Sequence, residues 1–190
     1  MDFYLLDNIN ERLFEWINIG LSNKFFDIFL SNITKLGSIV FAFLFTLAIC
    51  ILSKNVRLTF KIVYVLAFNL IVVQILKYIF NTVRPFCVEN ANSNLIYSDA
   101  FVRTLGPGFP SSHSAVIFTI AFIMHRLYPR LSPLYFSIAI IVSFSRIYLG
   151  VHYPFDVLFG SLFGLISGWL FDKRFKLKDE IANRNSTRVL

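Results

Sequence analysis

The chain has 190 residues, of which 56% are hydrophobic and only 15% are charged, and its formal net charge at neutral pH is +7. Soluble domains carry about 25% charged residues, so this composition excludes an ordinary soluble protein. The basic residues stand at the ends of apolar runs and form no stripe, which argues against a nucleic-acid partner. The sequence therefore predicts an all-α fold, a polytopic bundle of transmembrane helices whose solvent is the lipid bilayer.

The N-terminal segment alternates apolar and polar side chains at roughly helical spacing. This pattern predicts either an amphipathic helix that lies in the membrane interface or an imperfect sixth span within the bundle. The predicted organisation is an N-terminal amphipathic or membrane helix over residues 1–36, a catalytic transmembrane domain over 37–172 and a basic cytoplasmic tail over 173–190.

Five clearer apolar runs follow, and each is long enough as a helix to approach or cross the roughly 30 Å hydrocarbon core. A connector over residues 85–110 is rich in Asn, Ser, Gly and Pro. A connector of that length is more often functional than idle. The five predicted spans are 37–53, 60–80, 112–128, 132–148 and 153–171.

Lysine and arginine residues collect at one end of the predicted spans, which marks those ends as cytoplasmic. The opposite side holds four basic residues for which topology gives no reason: Lys77, Arg84, Arg103 and Arg146. The sequence thus predicts a multi-pass protein of the cell (inner) membrane with its chemistry on the periplasmic, extracytoplasmic side. The cytoplasmic basic residues are Lys54, Arg57, Lys61, Arg126, Arg130, Lys173, Arg174, Lys176 and Lys178.

Three polar stretches lie on the outer side, and the first two are residues 77–85, at the end of the second span, and 110–113, at the start of the third. Lys77 and Arg84 are seven residues apart, so both are predicted to project from one face of the second span, which Pro85 then ends. Ser111 and Ser112 stand at a predicted helix N-terminus. Serine is a favoured N-cap, and the first N–H groups of a helix have no intrahelical partner, so this end is suited to bind an anion.

The third polar stretch, "SRIYLGVHYPFD", lies between the last two spans. Arg146 ends one span, and His152 and Asp156 bracket the start of the next, with Pro154 in its first turn. Because four residues separate His152 from Asp156, the carboxylate can reach the imidazole and orient it.

Together the three stretches supply three fixed cations, a helix N-terminus, two histidines and one carboxylate. Cations and backbone N–H groups bind a phosphate dianion and stabilise a transferring phosphoryl group. One histidine held by a carboxylate can attack phosphorus, and the other can protonate the leaving oxygen. This set predicts hydrolysis of a phosphate ester with no metal and no cofactor.

Three motifs, "K-x6-R-P" from Lys77, "P-S-x-H" from Pro110 and "S-R-x5-H-x3-D" from Ser145, resemble the signature motifs of the type 2 phosphatidic acid phosphatase superfamily. The resemblance implies that His152 is the nucleophile and forms a phosphohistidine, that Asp156 is its partner and that His113 is the general acid. Ser112 stands where the family usually has glycine, and its backbone N–H remains available. The phosphate-binding residues that the resemblance implies are Lys77, Arg84, Ser111, Ser112 and Arg146.

The expected substrate is a membrane lipid phosphate or diphosphate, because the site lies at headgroup level on a chain with almost no extramembrane domain. Undecaprenyl diphosphate, phosphatidylglycerophosphate and lipid A 1-phosphate all fit, and a headgroup or second-phosphate contact from Arg103 would slightly favour a diphosphate. The oligomeric state stays open.

Two alternatives use the same residues differently. A lipid-phosphate transporter or binding protein would need the cations but has no use for a His–Asp pair beside a second histidine. A vanadate-dependent oxidant would share the pocket, but its known members are soluble.

Other features favour structural roles. His125, on the cytoplasmic side, is expected to form structural hydrogen bonds. Gly160, Gly164 and Gly168 form a stripe of small residues that predicts close helix packing.

Overall fold

The computed structural model describes residues 3–87 and 106–176, and all regular structure within these ranges is helical. Short 3₁₀ turns occupy Thr34–Gly37, Pro85–Cys87 and Pro129–Leu131. The helices are α1 (Phe3–Asn18), α2 (Lys24–Ile33), α3 (Ile39–Ser53), α4 (Val56–Phe80), α5 (Ser112–Leu127), α6 (Ser132–Tyr148) and α7 (Pro154–Phe175).

The N-terminal segment is two helices, so the prediction of one continuous helix is wrong. Helix α1 ends before Gly20, and Asn23 then caps α2 by accepting the N–H of Phe26 at 3.0 Å. Asparagine is a preferred N-cap because its short side chain satisfies a first-turn donor. Helix α2 and its following turn then meet α3 at a bend of 58°.

Three helical segments are long and apolar enough to cross a membrane: Val56–Cys87, Pro129–Tyr148 and Pro154–Phe175. The bent pair Lys24–Gly37 and Ile39–Ser53 makes a fourth if it counts as one span. Helix α5 has 16 residues and is therefore about 24 Å long, shorter than the hydrocarbon core. Over the described ranges, helix lengths thus support three or four spans, and the predicted five or six are not confirmed.

Close packing of α5 against α7 confirms the role expected for the glycine stripe. Gly160 faces the backbone of Ser111, and Gly164 faces the carbonyl of Ala115 so closely that a Cβ would collide with it. Small residues let helix backbones approach in this way. A side-chain contact ties α4 to the pair, because Asn69 Nδ2 donates to Thr119 Oγ1 at 2.9 Å.

One end of the bundle collects the basic residues. The Arg126 Nε and Asp172 Oδ2 atoms form an ion pair at 2.7 Å, which joins the last turns of α5 and α7. Lys61 Nζ donates to the Phe175 carbonyl at 3.5 Å and brings the start of α4 to the same end. The C-termini of α4 and α6 and the N-termini of α5 and α7 therefore meet at the opposite end.

Replacing Gly164 with Val should push α5 and α7 apart and lower the thermal unfolding midpoint. Overpacking of this kind costs about 1–3 kcal/mol. The matched control is Leu158→Phe, which adds bulk at a side chain that is 50% exposed on the same helix. Circular dichroism of the detergent-purified variants measures both midpoints, and an unchanged midpoint for Gly164→Val would contradict the packing argument.

Candidate active site

Lys77 and Arg84 do not share a helix face, so that prediction is wrong. Asn81 donates its N–H to the Lys77 carbonyl at 2.9 Å, which is the last hydrogen bond of α4. Its left-handed conformation (φ 42°) then ends the helix at Phe80. Asparagine tolerates this conformation better than most residues, so Asn81 was the signal for the helix end. Lys77 lies in the last turn of α4, and Arg84 lies in the irregular segment beyond it.

The two cations nevertheless converge on the segment of residues 106–108, which returns to the bundle end. Lys77 Nζ donates to the carbonyls of Pro107 at 2.6 Å and Gly108 at 3.1 Å. Arg84 Nε donates to the Gly106 carbonyl at 2.9 Å, and its Nη1 donates to the Val151 carbonyl at 3.2 Å. Both side chains are buried, and the last contact places Arg84 beside the residue that precedes His152.

Thr82 holds this returning segment in place, a role that the motif spacing did not predict. Its carbonyl accepts the Gly108 N–H at 2.9 Å, and its hydroxyl accepts the Phe109 N–H at 2.8 Å. A Cβ on Gly108 would lie 3.3 Å from Asp156 Oδ2 and 3.4 Å from Arg84 Cγ. The segment therefore packs directly against two of the predicted site residues.

The start of α5 contributes Ser111, Ser112 and His113. Ser111 is the fully buried N-cap, and its side chain accepts the Ser114 N–H at 3.5 Å. Its own N–H donates to the Asp156 carbonyl at 2.9 Å, which joins the starts of α5 and α7. Ser112 and His113 are partly exposed in the first helical turn.

His152 and Asp156 form a buried pair at the start of α7. His152 Nδ1 lies 3.2 Å from Asp156 Oδ2, and this oxygen also accepts the Tyr153 N–H at 3.0 Å. His152 is 2% exposed and Asp156 is 6% exposed. With an ionised carboxylate as its neighbour, Nδ1 is the donor nitrogen of the ring, and Nε2 carries the lone pair.

Arg146 lies in the last turn of α6 and is 5% exposed. Its Nη1 donates to Thr34 Oγ1 at 2.8 Å, a contact across 112 positions of the chain. Its carbonyl accepts the N–H groups of Val151 and His152, each at 3.2 Å. Gly150 has φ 79°, which closes the short turn between α6 and α7 and returns His152 to the end of α6.

The surroundings of His152 disfavour protonation of its ring. Burial is the main cause that lowers the pKa of its imidazole well below the usual value of about 6.5, and the charges of Arg84, Arg146 and Lys77 lower it further. The ring is therefore neutral at physiological pH, which is the form that carries a nucleophilic lone pair.

Two more residues were singled out from the sequence, of which one is not described by the structure and the other lies at the basic end of the bundle. Arg103 falls outside the described residues. His125 lies in the last turn of α5, at the basic end, with its Nδ1 2.6 Å from Ser132 Oγ. Within residues 3–87 and 106–176, no three His, Cys, Asp or Glu side chains are grouped as metal ligands.

The chain is similar in sequence to known phosphatases over the segment that carries the three motifs. The family profile described as the PAP2 superfamily matches residues 58–178, which include all three motifs. The lipid A 4'-phosphatase of Bacteroides thetaiotaomicron is 31% identical over 175 residues, which cover 87% of this chain and 76% of the relative. An Escherichia coli protein, named "Putative undecaprenyl-diphosphatase YbjG", is 34% identical over 167 residues, 85% of this chain and 80% of the relative.

The crystal structure of Aquifex aeolicus LpxE superposes with a TM-score of 0.75 at 29% sequence identity. The match covers 87% of this chain and 95% of that structure. The resemblance first suggested by three short motifs thus extends over most of the sequence and of the helical architecture. This chain belongs to the PAP2 superfamily and is a membrane-embedded phosphatase of that family.

Proposed function

We propose that the protein hydrolyses a lipid phosphate or diphosphate at the outer leaflet, through a phosphohistidine on His152 and without a metal ion. The observation that carries this proposal is the buried contact of 3.2 Å between His152 Nδ1 and Asp156 Oδ2. That pair lies within the field of Lys77, Arg84 and Arg146. A neutral, oriented imidazole among fixed cations is suited to attack a phosphate that those cations bind.

In the first step, His152 Nε2 forms a bond to phosphorus while the bond from phosphorus to the lipid oxygen breaks. Burial and the charges of Arg146, Arg84 and Lys77 lower the pKa of His113 as they lower that of His152, so His113 takes up a proton when the negative charge of the bound phosphate offsets those charges. Protonated His113 then donates this proton to the leaving oxygen, so the lipid departs as a neutral alcohol or as a monophosphate. In the second step, water gives a proton to His113 and attacks phosphorus, which releases inorganic phosphate and frees His152. Asp156 stabilises the positive charge that develops on the His152 ring.

Lys77 and Arg84 can bind phosphate oxygens without losing the contacts that position them. Lys77 gives two of its three N–H donors to the carbonyls of residues 107 and 108. Arg84 gives three of five to carbonyls of the described residues. Each therefore retains a donor for the substrate. The N–H groups of Ser112 and His113, in the first turn of α5, supply further donors.

The basic residues at the opposite end of the bundle support an extracytoplasmic site in the inner membrane, by the positive-inside rule. The relatives named above support a lipid substrate, since one is named a lipid A 4'-phosphatase and the other a "Putative undecaprenyl-diphosphatase". Candidate substrates are undecaprenyl diphosphate, phosphatidylglycerophosphate and a lipid A phosphate. Arg103 is the proposed contact to a headgroup or a second phosphate.

A phosphate-release assay on a lipid panel tests this function. The full chain in detergent–lipid micelles with excess EDTA should release inorganic phosphate from at least one lipid phosphate, and orthovanadate should inhibit the release. The His152→Ala variant, which lacks the nucleophile, controls for contaminating phosphatases. A folded wild-type protein that releases nothing would support lipid binding without hydrolysis, and release that requires a divalent ion would contradict the metal-free mechanism.

Replacing His113 with Gln should separate its role from that of His152. Loss of the acid should lower the rate of hydrolysis of alkyl phosphates by about 10²–10⁴-fold. The rate for an activated aryl phosphate should fall much less, because its leaving oxygen needs little protonation. His152→Ala should abolish turnover of both. Steady-state kinetics on the matched alkyl and aryl substrates decide this, and equal losses for His113→Gln would exclude the acid role.

The His152 ring should stay neutral well below pH 6.5. The unfolded chain protonates this ring near its usual pKa of about 6.5 and the folded site does not, so its contribution to stability is lost as pH falls below that value. Histidine-selective ¹⁵N NMR measures the titration, and His152→Gln identifies the resonance. A midpoint at or above pH 6.5 would contradict the neutral nucleophile.

A further inference from the structure

Resting on the proposed function, we propose that Thr34 is a positioning residue that orients the guanidinium of Arg146 for binding the substrate phosphate. Thr34 lies in the N-terminal segment, outside all three motifs and outside the range matched by the family profile. It acts through Arg146.

The contact itself is short and buried. Thr34 Oγ1 accepts a hydrogen bond from Arg146 Nη1 at 2.8 Å, and the two residues are 2% and 5% exposed. A hydrogen bond to an ionised donor in such surroundings is stronger than one between neutral groups. It fixes one nitrogen of the planar guanidinium, and so the direction in which the other donors point.

The backbone around Thr34 is constrained, which makes its hydroxyl a fixed reference point. Thr34 begins the 3₁₀ turn to Gly37, and its N–H donates to carbonyls in the last turn of α2. Gly37 ends the same turn against His113, where a Cβ would lie 2.9 Å from His113 Cβ and 3.0 Å from Val142 Cγ1. The turn is therefore wedged between two proposed site residues, Arg146 and His113.

A second link holds the N-terminal segment to the end of α6. The Tyr148 hydroxyl donates to Asp27 Oδ1 at 2.7 Å and accepts the Asn23 N–H at 3.0 Å, and Asn18 Nδ2 donates to the Tyr148 carbonyl at 2.7 Å. These contacts secure the segment without Thr34. Loss of the Thr34 hydroxyl should therefore alter Arg146 while the segment stays docked.

Orthovanadate binding to the detergent-purified full chain tests the role directly. Thr34→Val keeps the side-chain shape and removes the acceptor, so it should weaken vanadate binding about tenfold, with a matching rise in KM for lipid phosphate. Thr34→Ser keeps the hydroxyl and should bind within about threefold of wild type. The matched control is Thr46→Val, which removes a buried hydroxyl that donates to the Ala42 carbonyl at 2.8 Å, and it should leave the affinity unchanged.

A double-mutant cycle distinguishes positioning from a general structural role. If Thr34 acts through Arg146, then Thr34→Val should cause no further loss of vanadate affinity in an Arg146→Gln background. Wild-type affinity in Thr34→Val, or a full additional loss in the Arg146→Gln background, would overturn the inference.

Two further results have defined meanings. If Thr34→Val does not fold, Thr34→Cys takes its place, since a thiol is a weak acceptor of similar size, and normal vanadate binding by it would equally overturn the inference. A wild-type protein that neither binds vanadate nor releases phosphate would overturn the proposed function, and this inference with it. If the wild-type protein binds vanadate and releases phosphate, and Thr34→Val binds vanadate equally well, the inference about Thr34 is overturned and the proposed function stands.

Discussion

Three positive charges buried at one end of a helical bundle are the constraint on which this structure depends. Lys77, Arg84 and Arg146 lie close enough for all three charges to act on His152. Like charges at low dielectric repel strongly, and each loses its hydration. The protein offsets this with backbone carbonyls of residues 106–108, the Thr34 hydroxyl and the Asp156 carboxylate. An anion bound among these charges would reduce the repulsion between them, which is the physical basis for the proposed phosphate site.

Helix ends supply most of the groups that meet this constraint. Side chains from the last turns of α4 and α6 face the first turns of α5 and α7, where backbone N–H groups are available. The glycine stripe of α7 sets how closely α5 approaches, and that approach brings the Ser111 N–H to 2.9 Å from the Asp156 carbonyl. Packing in the middle of the bundle thereby fixes distances at its end.

Short-range features of the site could be predicted from the sequence because helical periodicity encodes them. The four-residue spacing of His152 and Asp156 and the serine cap of α5 are of this kind. The end of α4 depended instead on one residue, Asn81, whose left-handed conformation overrode the expectation placed on Pro85. The contact of Thr34 with Arg146 joins residues 112 positions apart. Helical periodicity relates only residues that are close in sequence, so it could not predict this contact.

The backbone-to-backbone packing of α5 on α7 also bears on how the family can serve different lipids. A side chain at Gly160 or Gly164 would collide with the backbone of α5, so the two helices lie in direct backbone contact. The hydrogen bond from the Ser111 N–H to the Asp156 carbonyl joins the same two helices at their first turns, beside the proposed nucleophile. On the proposed function, every substrate would bring its phosphorus to the start of these two helices, and the surrounding chain, including the N-terminal helices and the segment that carries Arg84, would have to fit its headgroup and tail.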